Sequence, residues 1–296
     1  MVVKTNNLKK VYGRIKAVDD LSIEIEKGSV HGILGPNGSG KTTLLGILLN
    51  VIRATSGTYS WFDGADLSLA HKRIGALLEY PNFYHYMSGY DNLAICADIK
   101  QKGKENIQAV LDQVGLRGRQ KDKFKTYSLG MKQRLAIASC LLADPEVLVL
   151  DEPTNGLDPQ GISEVRNIIK NIAAKGTTII IASHLLDEVE KVCSDVTILK
   201  EGQNIYTGKV SGLGSSKNVF EISSEDMSLL ETVVRQIQQV RSSKRDGEYL
   251  ILECEQSYTT GNLNKDLGAQ NIYLTHLEVR RDTLERNFME LLKGKA

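Results

Sequence analysis

Two stretches of the chain place glycines, a lysine, hydroxyls and carboxylates at spacings suited to phosphate chemistry. The first runs Gly35, Pro36, Asn37, Gly38, Ser39, Gly40, Lys41, Thr42, Thr43 and fits the pattern G-x-x-x-x-G-K-[ST]. Its glycines let the backbone curl so that successive N–H groups point inward at an anion, with the positive end of a following helix behind them. Lys41 adds a point charge for the outer phosphates, and the Thr42 hydroxyl suits a magnesium ion. The second, PEVLVLDEPTNGLDP at 145–159, sets Asp151 and Glu152 at the end of an apolar run. Asp151 is expected to reach the magnesium shell, and Glu152 to polarise a water for attack on a terminal phosphate.

Such side chains act only if the fold holds them, and the flanking sequence reads as the scaffold. Residues 29–51 give a short apolar strand, the glycine turn and an amphipathic helix. Val147 to Leu150 read as a fully buried parallel strand, and carboxylates at its C-terminal end lie where open α/β sheets bind ligands. In TYSLGMKQRLAIASCLL, residues 126–142, Ser128 is the predicted N-cap of a helix. Residues 88–142 are mainly helical, with breaks at Gly103 and Gly115.

With TTIIIASHLLDEVEKV at 177–192 added, the order of elements resembles the ATP-binding-cassette (ABC) ATPases over about residues 2–210. The resemblance implies an α/β fold, a P-loop NTPase cassette with a parallel-core sheet, an N-terminal antiparallel β part and a helical subdomain. It also implies ATP and Mg2+ as the bound species and ATP hydrolysis as the reaction. By position, Tyr12 matches the aromatic residue that stacks on adenine, Val18 the small apolar residue packed near the nucleotide, and Gly35 to Thr43 the phosphate loop. Ser128 and Gly130 match the signature motif, which contacts the terminal phosphate of ATP held by a second cassette; a helix N-terminus offers N–H groups and a dipole end to such an anion. Asp158 matches the loop that crosses the seam between cassettes, and His184 the switch histidine. Tyr127, Leu129 and Met131 depart from the usual Leu-Ser-Gly-Gly-Gln signature, whereas Gln133 and Arg134 agree with the residues usual after it.

Glu79, in IGALLEYPNFYHYM at 74–87, falls where most of these ATPases carry a glutamine that contacts magnesium and the attacking water. Glutamate there removes an amide donor and adds a charge beside a cation. Glutamate at this position together with SLGMKQR is similar to the bacitracin-resistance and lantibiotic self-protection exporter ATPases. The aromatics Tyr80, Phe83, Tyr84 and Tyr86 lie where the family docks a coupling helix of its membrane partner.

Composition narrows the partners. Lysine plus arginine, 37, nearly cancels aspartate plus glutamate, 36, so no overall field points to nucleic acid, and none is expected as a partner. No apolar run approaches the roughly 20 residues that span a bilayer, and MVVKTNNLKK lacks the apolar core of a secretion signal. The expectation is a peripheral protein on the cytoplasmic face of the cell membrane, partnered by a separate transmembrane permease subunit and by a second cassette, in a homodimer. Cys96, Cys140, Cys193 and Cys254 lack paired spacing and read as buried reduced thiols.

The nucleotide-binding domain is expected over 1–212 and a small C-terminal α/β accessory domain of ferredoxin-like kind over 217–296, joined through SGLGSSK. In the latter, LLETVVRQIQQV and TLERNFMELL read as helices, and RSSKRDGE as a solvated turn. The functional expectation is an exporter ATPase, with antimicrobial peptide or drug resistance as the setting. Two other readings stand beside it. One is a soluble cassette acting on ribosomes or DNA, although such relatives carry two cassettes or long coiled coils. The other is a weakly hydrolysing regulatory subunit, which the altered signature permits.

Overall fold

The computed structural model describes residues 1–79, 82–213, 217–255, 257–280 and 288. Tyr80, part of the linker and all of the predicted last helix except Phe288 lie outside the described residues. The chain divides into two compact units, Met1–Val210 and Ser211–Ala296.

The first unit opens with β1 (Val3–Tyr12), β2 (Ile15–Leu21), β3 (Glu24–Ile25) and β4 (Val30–Leu34), then α1 (Lys41–Leu48), β5 (Ser56–Trp61), α2 (Leu67–His71) and β6 (Ile74–Leu77). It continues through α3 (Gly89–Lys100), α4 (Ile107–Gln113), α5 (Leu129–Leu141), β7 (Val147–Asp151), α6 (Pro159–Ala173), β8 (Thr178–Ser183), α7 (Leu186–Val192), β9 (Asp195–Lys200) and β10 (Gln203–Lys209). Six strands form the central sheet in the order β10-β9-β4-β8-β7-β6, parallel except for β10. The sequences of β4, β7 and β8 are buried throughout, as strands covered on both faces must be, which is why they read as mostly apolar rather than alternating. Each fully buried Leu or Ile there contributes about 1.5–3 kcal/mol of transfer free energy. A smaller antiparallel sheet pairs β1 with β2, β3 and β5.

The helical segment starts on a reciprocal capping box, Ser88 with Asp91, at the head of α3. Ser128 caps α5, its hydroxyl accepting from the Met131 N–H at 3.2 Å.

The second unit runs β11 (Lys217–Ser224), α8 (Met227–Val234), β12 (Val240–Asp246), β13 (Tyr249–Glu255), α9 (Thr260–Gly268) and β14 (Leu274–Arg280). Its sheet is antiparallel in the order β12-β13-β11-β14, the ferredoxin-like arrangement. Phe220, Ile222, Leu250, Leu252, Leu263 and Leu267 are central to its core. Here α8 ends at Val234, earlier than its apolar spacing suggests, and most of RSSKRDGE is the edge strand β12 rather than a turn. An edge strand tolerates such charge on both faces, so it lacks the alternation that marks a strand in sequence. Among the described residues no helix is long and apolar enough to cross a membrane.

Candidate active site

Three neighbouring strands, β4, β8 and β7, carry the predicted residues at their C-terminal ends. Register sets Leu34 opposite Ser183 and Asp151 opposite Ala182, so the loop after β4, His184 after β8 and the Asp151–Glu152 pair emerge side by side. The loop is tightly wound. Gly38 and Gly40 take φ values of +80° and +104°, which favour glycine, and a Cβ on Gly40 would collide with the Ala17 carbonyl oxygen. From outside, the Gly202 N–H donates to the Ser39 carbonyl at 3.0 Å and the Asp19 N–H to the Gly202 carbonyl at 2.8 Å. Ala17 and Gly202 therefore shape the loop through backbone alone, and no side chain advertises that in the sequence.

Inside this frame the reactive groups converge. Lys41 is only 6% exposed; its ammonium donates to the Gly35 carbonyl at 2.8 Å and the Pro36 carbonyl at 3.3 Å, and lies 3.3 Å from Glu152 Oε1. The other carboxylate oxygen, Glu152 Oε2, sits 2.8 Å from His184 Nδ1. Glu152 holds φ at +47°, uncommon for a residue with a side chain, while its N–H donates to the Ala182 carbonyl at 2.9 Å. The Thr42 hydroxyl donates to Asp151 Oδ2 at 2.7 Å. Burial pushes the Asp151 carboxyl above its ordinary range; the Thr42 hydrogen bond opposes this, and the charges of Glu152 and Glu79 add to it. Glu79 is exposed with φ at +58°. Because Leu77 pairs with Leu150, Glu79 stands two residues beyond β6 just as Glu152 stands two beyond Leu150.

These donors fit a divalent cation. Asp151 Oδ1 is buried with no hydrogen-bond partner among the described residues, beside a hydroxyl and in the field of two further carboxylates against one ammonium. The Ser39 hydroxyl is likewise buried without a partner, as a group facing a phosphate oxygen would be.

The remaining predicted residues fall into other places. Ser128, Gly130 and Asp158 line one open hollow of about 440 Å3, and no residue of the phosphate loop lines it. Asp158 caps α6 by accepting from the Gly161 N–H at 2.8 Å. Tyr127, the signature's first departure, is buried with its hydroxyl donating to the Arg119 carbonyl at 2.7 Å, and it packs where a Cβ on Gly89 would sit. Its ring lies 6.0 Å from Phe124, which lies 5.2 Å from Phe83. Backbone bonds from Tyr90 to Gln120, Phe124 to Met87 and Lys125 to His85, of 2.8–3.0 Å, lace the segment after Glu79 to the segment before Ser128. Tyr12 is 47% exposed, with the Lys10 ammonium 4.7 Å from its ring centre. Val18 is buried in the core with Leu44 and Leu45.

A loop of backbone donors wrapped by a buried lysine, set beside an Asp-Glu pair and a histidine on a parallel sheet, defines a P-loop ATPase of the cassette kind. The family model described as ABC transporter matches residues 18–155. The bacitracin transport ATP-binding protein BcrA of Bacillus licheniformis is 37% identical over 99% of this chain and 98% of its own length, and that of Enterococcus faecalis 33% over 99% and 97%. The lantibiotic transport ATP-binding protein SrtF of Streptococcus pyogenes is 39% identical over 74% of this chain and 96% of its own. Among solved structures, cbiO1 from Clostridium perfringens, part of the ABC transporter complex cbiONQ, is 30% identical with a TM-score of 0.63, covering 70% of this chain and 88% of that one. The dimeric MJ0796 cassette in a post-hydrolysis state bound to ADP and Pi has a TM-score of 0.64 at 24% identity, covering 70% of this chain and 98% of that one. The chain belongs to the ABC transporter family. It is an ATP-binding, ATP-hydrolysing transporter subunit.

Proposed function

We propose that this subunit powers export: two copies of the cassette close on two ATP molecules and move an attached, separate membrane permease. The convergence of Lys41, Thr42, Asp151, Glu152 and His184 within hydrogen-bonding reach carries this reading. Glu152 polarises the attacking water and takes its proton, and His184 steadies the far oxygen of that carboxylate. Lys41 and the loop N–H groups hold phosphate charge as it shifts to the leaving group. Because Lys41 is tied to Glu152 and to two loop carbonyls, an arriving phosphate draws the ammonium away and leaves Glu152 free to face water. Thr42 and Asp151, with Glu79 beside them, would hold Mg2+, which when bound offsets charge on the phosphate oxygens.

Ser128, Gly130 and Asp158 gather in their own hollow, which supports their serving the nucleotide of a partner cassette, as does the dimeric form of the MJ0796 cassette. The exposed ring of Tyr12 suits stacking on adenine, with Val18 packed behind it in the core. Exposed Tyr84, Tyr86 and Tyr90 suit docking of the permease. The names of the BcrA and SrtF proteins support an antimicrobial peptide as cargo, and their being transport ATP-binding proteins supports a peripheral place beside a permease on the cytoplasmic face of the membrane. The second unit carries none of the site residues, which suits an accessory role.

Glu152→Gln tests the assignment. ATP binding persists and phosphate release falls at least ~100-fold; phosphate release at the wild-type rate would refute the role given to Glu152.

A further inference from the structure

We propose that a largely shielded ion pair between Arg166 and Glu188 sets the position of His184 against Glu152; the proposal rests on the roles given to those two residues above. Helix α7 begins at Leu186, two residues after His184, so its placement decides where the imidazole sits. Little within α7 fixes it. The helix has 7 residues, and its N-cap position, Leu185, offers no side-chain hydrogen bond. Its anchors come from neighbouring elements. Val189 packs against Gly32 of β4, and Glu188 Oε2 lies 3.3 Å from Arg166 Nε on α6.

The two charged side chains are only 22% and 15% exposed, and neither Arg166 Nε nor Glu188 Oε2 has a hydrogen-bond partner among the described residues. Glu188 Oε1 also reaches Lys191, at 3.8 Å along the same helix, which tethers the carboxylate without linking α7 to α6. Beside the pair lies a cavity of about 20 Å3, room for one water. Its wall includes Thr154, two residues past Glu152, and Ser183, the residue before His184, whose hydroxyl accepts from the Leu185 N–H at 3.0 Å. The pair therefore shares a cavity wall with residues one or two positions from each member of the Glu152–His184 contact, and joins the helix that follows one to the helix that follows the other.

Removing the Glu188 charge leaves the Arg166 guanidinium, largely shielded from water, without this carboxylate, and the cheapest relief is for α7 to move. His184 moves with it, while the phosphate loop, which neither residue touches, stays in place. Misplacement of a positioning group by ~1 Å lowers rates by up to ~100-fold, so Glu188→Gln is expected to lower kcat roughly ten-fold with the KM for ATP little changed.

Turnover and the KM for ATP are measured on the full chain as wild type, Glu188→Gln, His184→Ala and the double variant, with melting temperature followed for each. The expected result is that Glu188→Gln lowers kcat in the wild-type background and adds nothing once His184 is gone, since the contact it positions no longer exists. Unchanged kcat in Glu188→Gln, a rise in KM matching its loss of kcat, or an equal loss in both backgrounds overturns the proposal and leaves the reading of His184 standing. Wild-type turnover in His184→Ala overturns both. The reversed pair, Arg166→Glu with Glu188→Arg, separates positioning from folding. On the proposal it regains kcat toward wild type, and a reversed pair that melts like wild type but turns over like Glu188→Gln overturns it.

Discussion

Replacing His31 by glutamine should flatten the acid side of the cassette's stability profile. His31 lies on β4, 3% exposed, with Nε2 2.9 Å from the Thr197 hydroxyl on β9, which in turn lies 3.0 Å from that of Thr207 on β10. Burial holds its imidazole down at about 4 against an ordinary 6.5; the charge of Asp195 opposes this and that of Lys209 adds to it. The folded protein therefore refuses a proton that the unfolded chain accepts. Above the unfolded value both states are neutral and nothing is lost, and as pH falls from 6.5 toward 4 the unfolded state gains. With about 1.36 kcal/mol for each pH unit between the two values, the loss from this one group is about 2 kcal/mol by pH 5 and about 3 kcal/mol at its limit. For a unit of 210 residues that corresponds to ~4–8 °C in Tm at pH 5. Glutamine keeps a partner for Thr197 and cannot titrate. Calorimetric scans at pH 7.5 and pH 5, following the transition that ATP raises, should show wild type losing ~4–8 °C more than His31→Gln over that interval. Parallel losses in the two proteins, or a His31 ring resonance that titrates near its ordinary value, would refute the reasoning.

Two further substitutions probe the site and its support. Asp151→Asn should raise Tm at pH 7 while cutting phosphate release at least ~100-fold. Burial keeps the Asp151 carboxyl above its ordinary range, so the ionised form costs stability that the amide does not, and the advantage should shrink as pH falls toward the raised value. A lower Tm for Asp151→Asn would contradict that account. Tyr127→Phe removes the bond to the Arg119 carbonyl and should cost ~1 kcal/mol in urea denaturation; an unchanged midpoint would show that the hydroxyl contributes nothing to holding the signature.

The phosphate loop was legible because its chemistry is local: strand, glycines, lysine and helix are contiguous, and each residue type answers a need of the anion beside it. The same holds for Asp151 and Glu152 at the end of an apolar run, and for Ser128 at the head of α5. The 2.7 Å bond from Thr42 to Asp151 joins residues 109 apart in sequence, and only the parallel register of the sheet brings them together. Nothing in the sequence singles out Arg166 and Glu188, since the meeting of two charges on separate helices is a tertiary fact. Strand β12 does not show in the sequence because an edge position relaxes the alternation that identifies a strand, and helical spacing runs past the end of α8 because Val240 keeps it after the helix has ended.

The lacing of Phe83–Tyr90 to Gln120–Lys125 has a consequence for information flow. One end of this stitched piece is Phe83, four residues after Glu79 in the sequence, and the other is Tyr127, next to Ser128. On the function proposed above, Glu79 would attend one ATP of a closed pair of cassettes and Ser128 the other. A permease pressing on the exposed Tyr84 and Tyr86 would thus be in touch with both nucleotides through a single semi-rigid part, and loss of either phosphate would be reported to the same spot on the transporter.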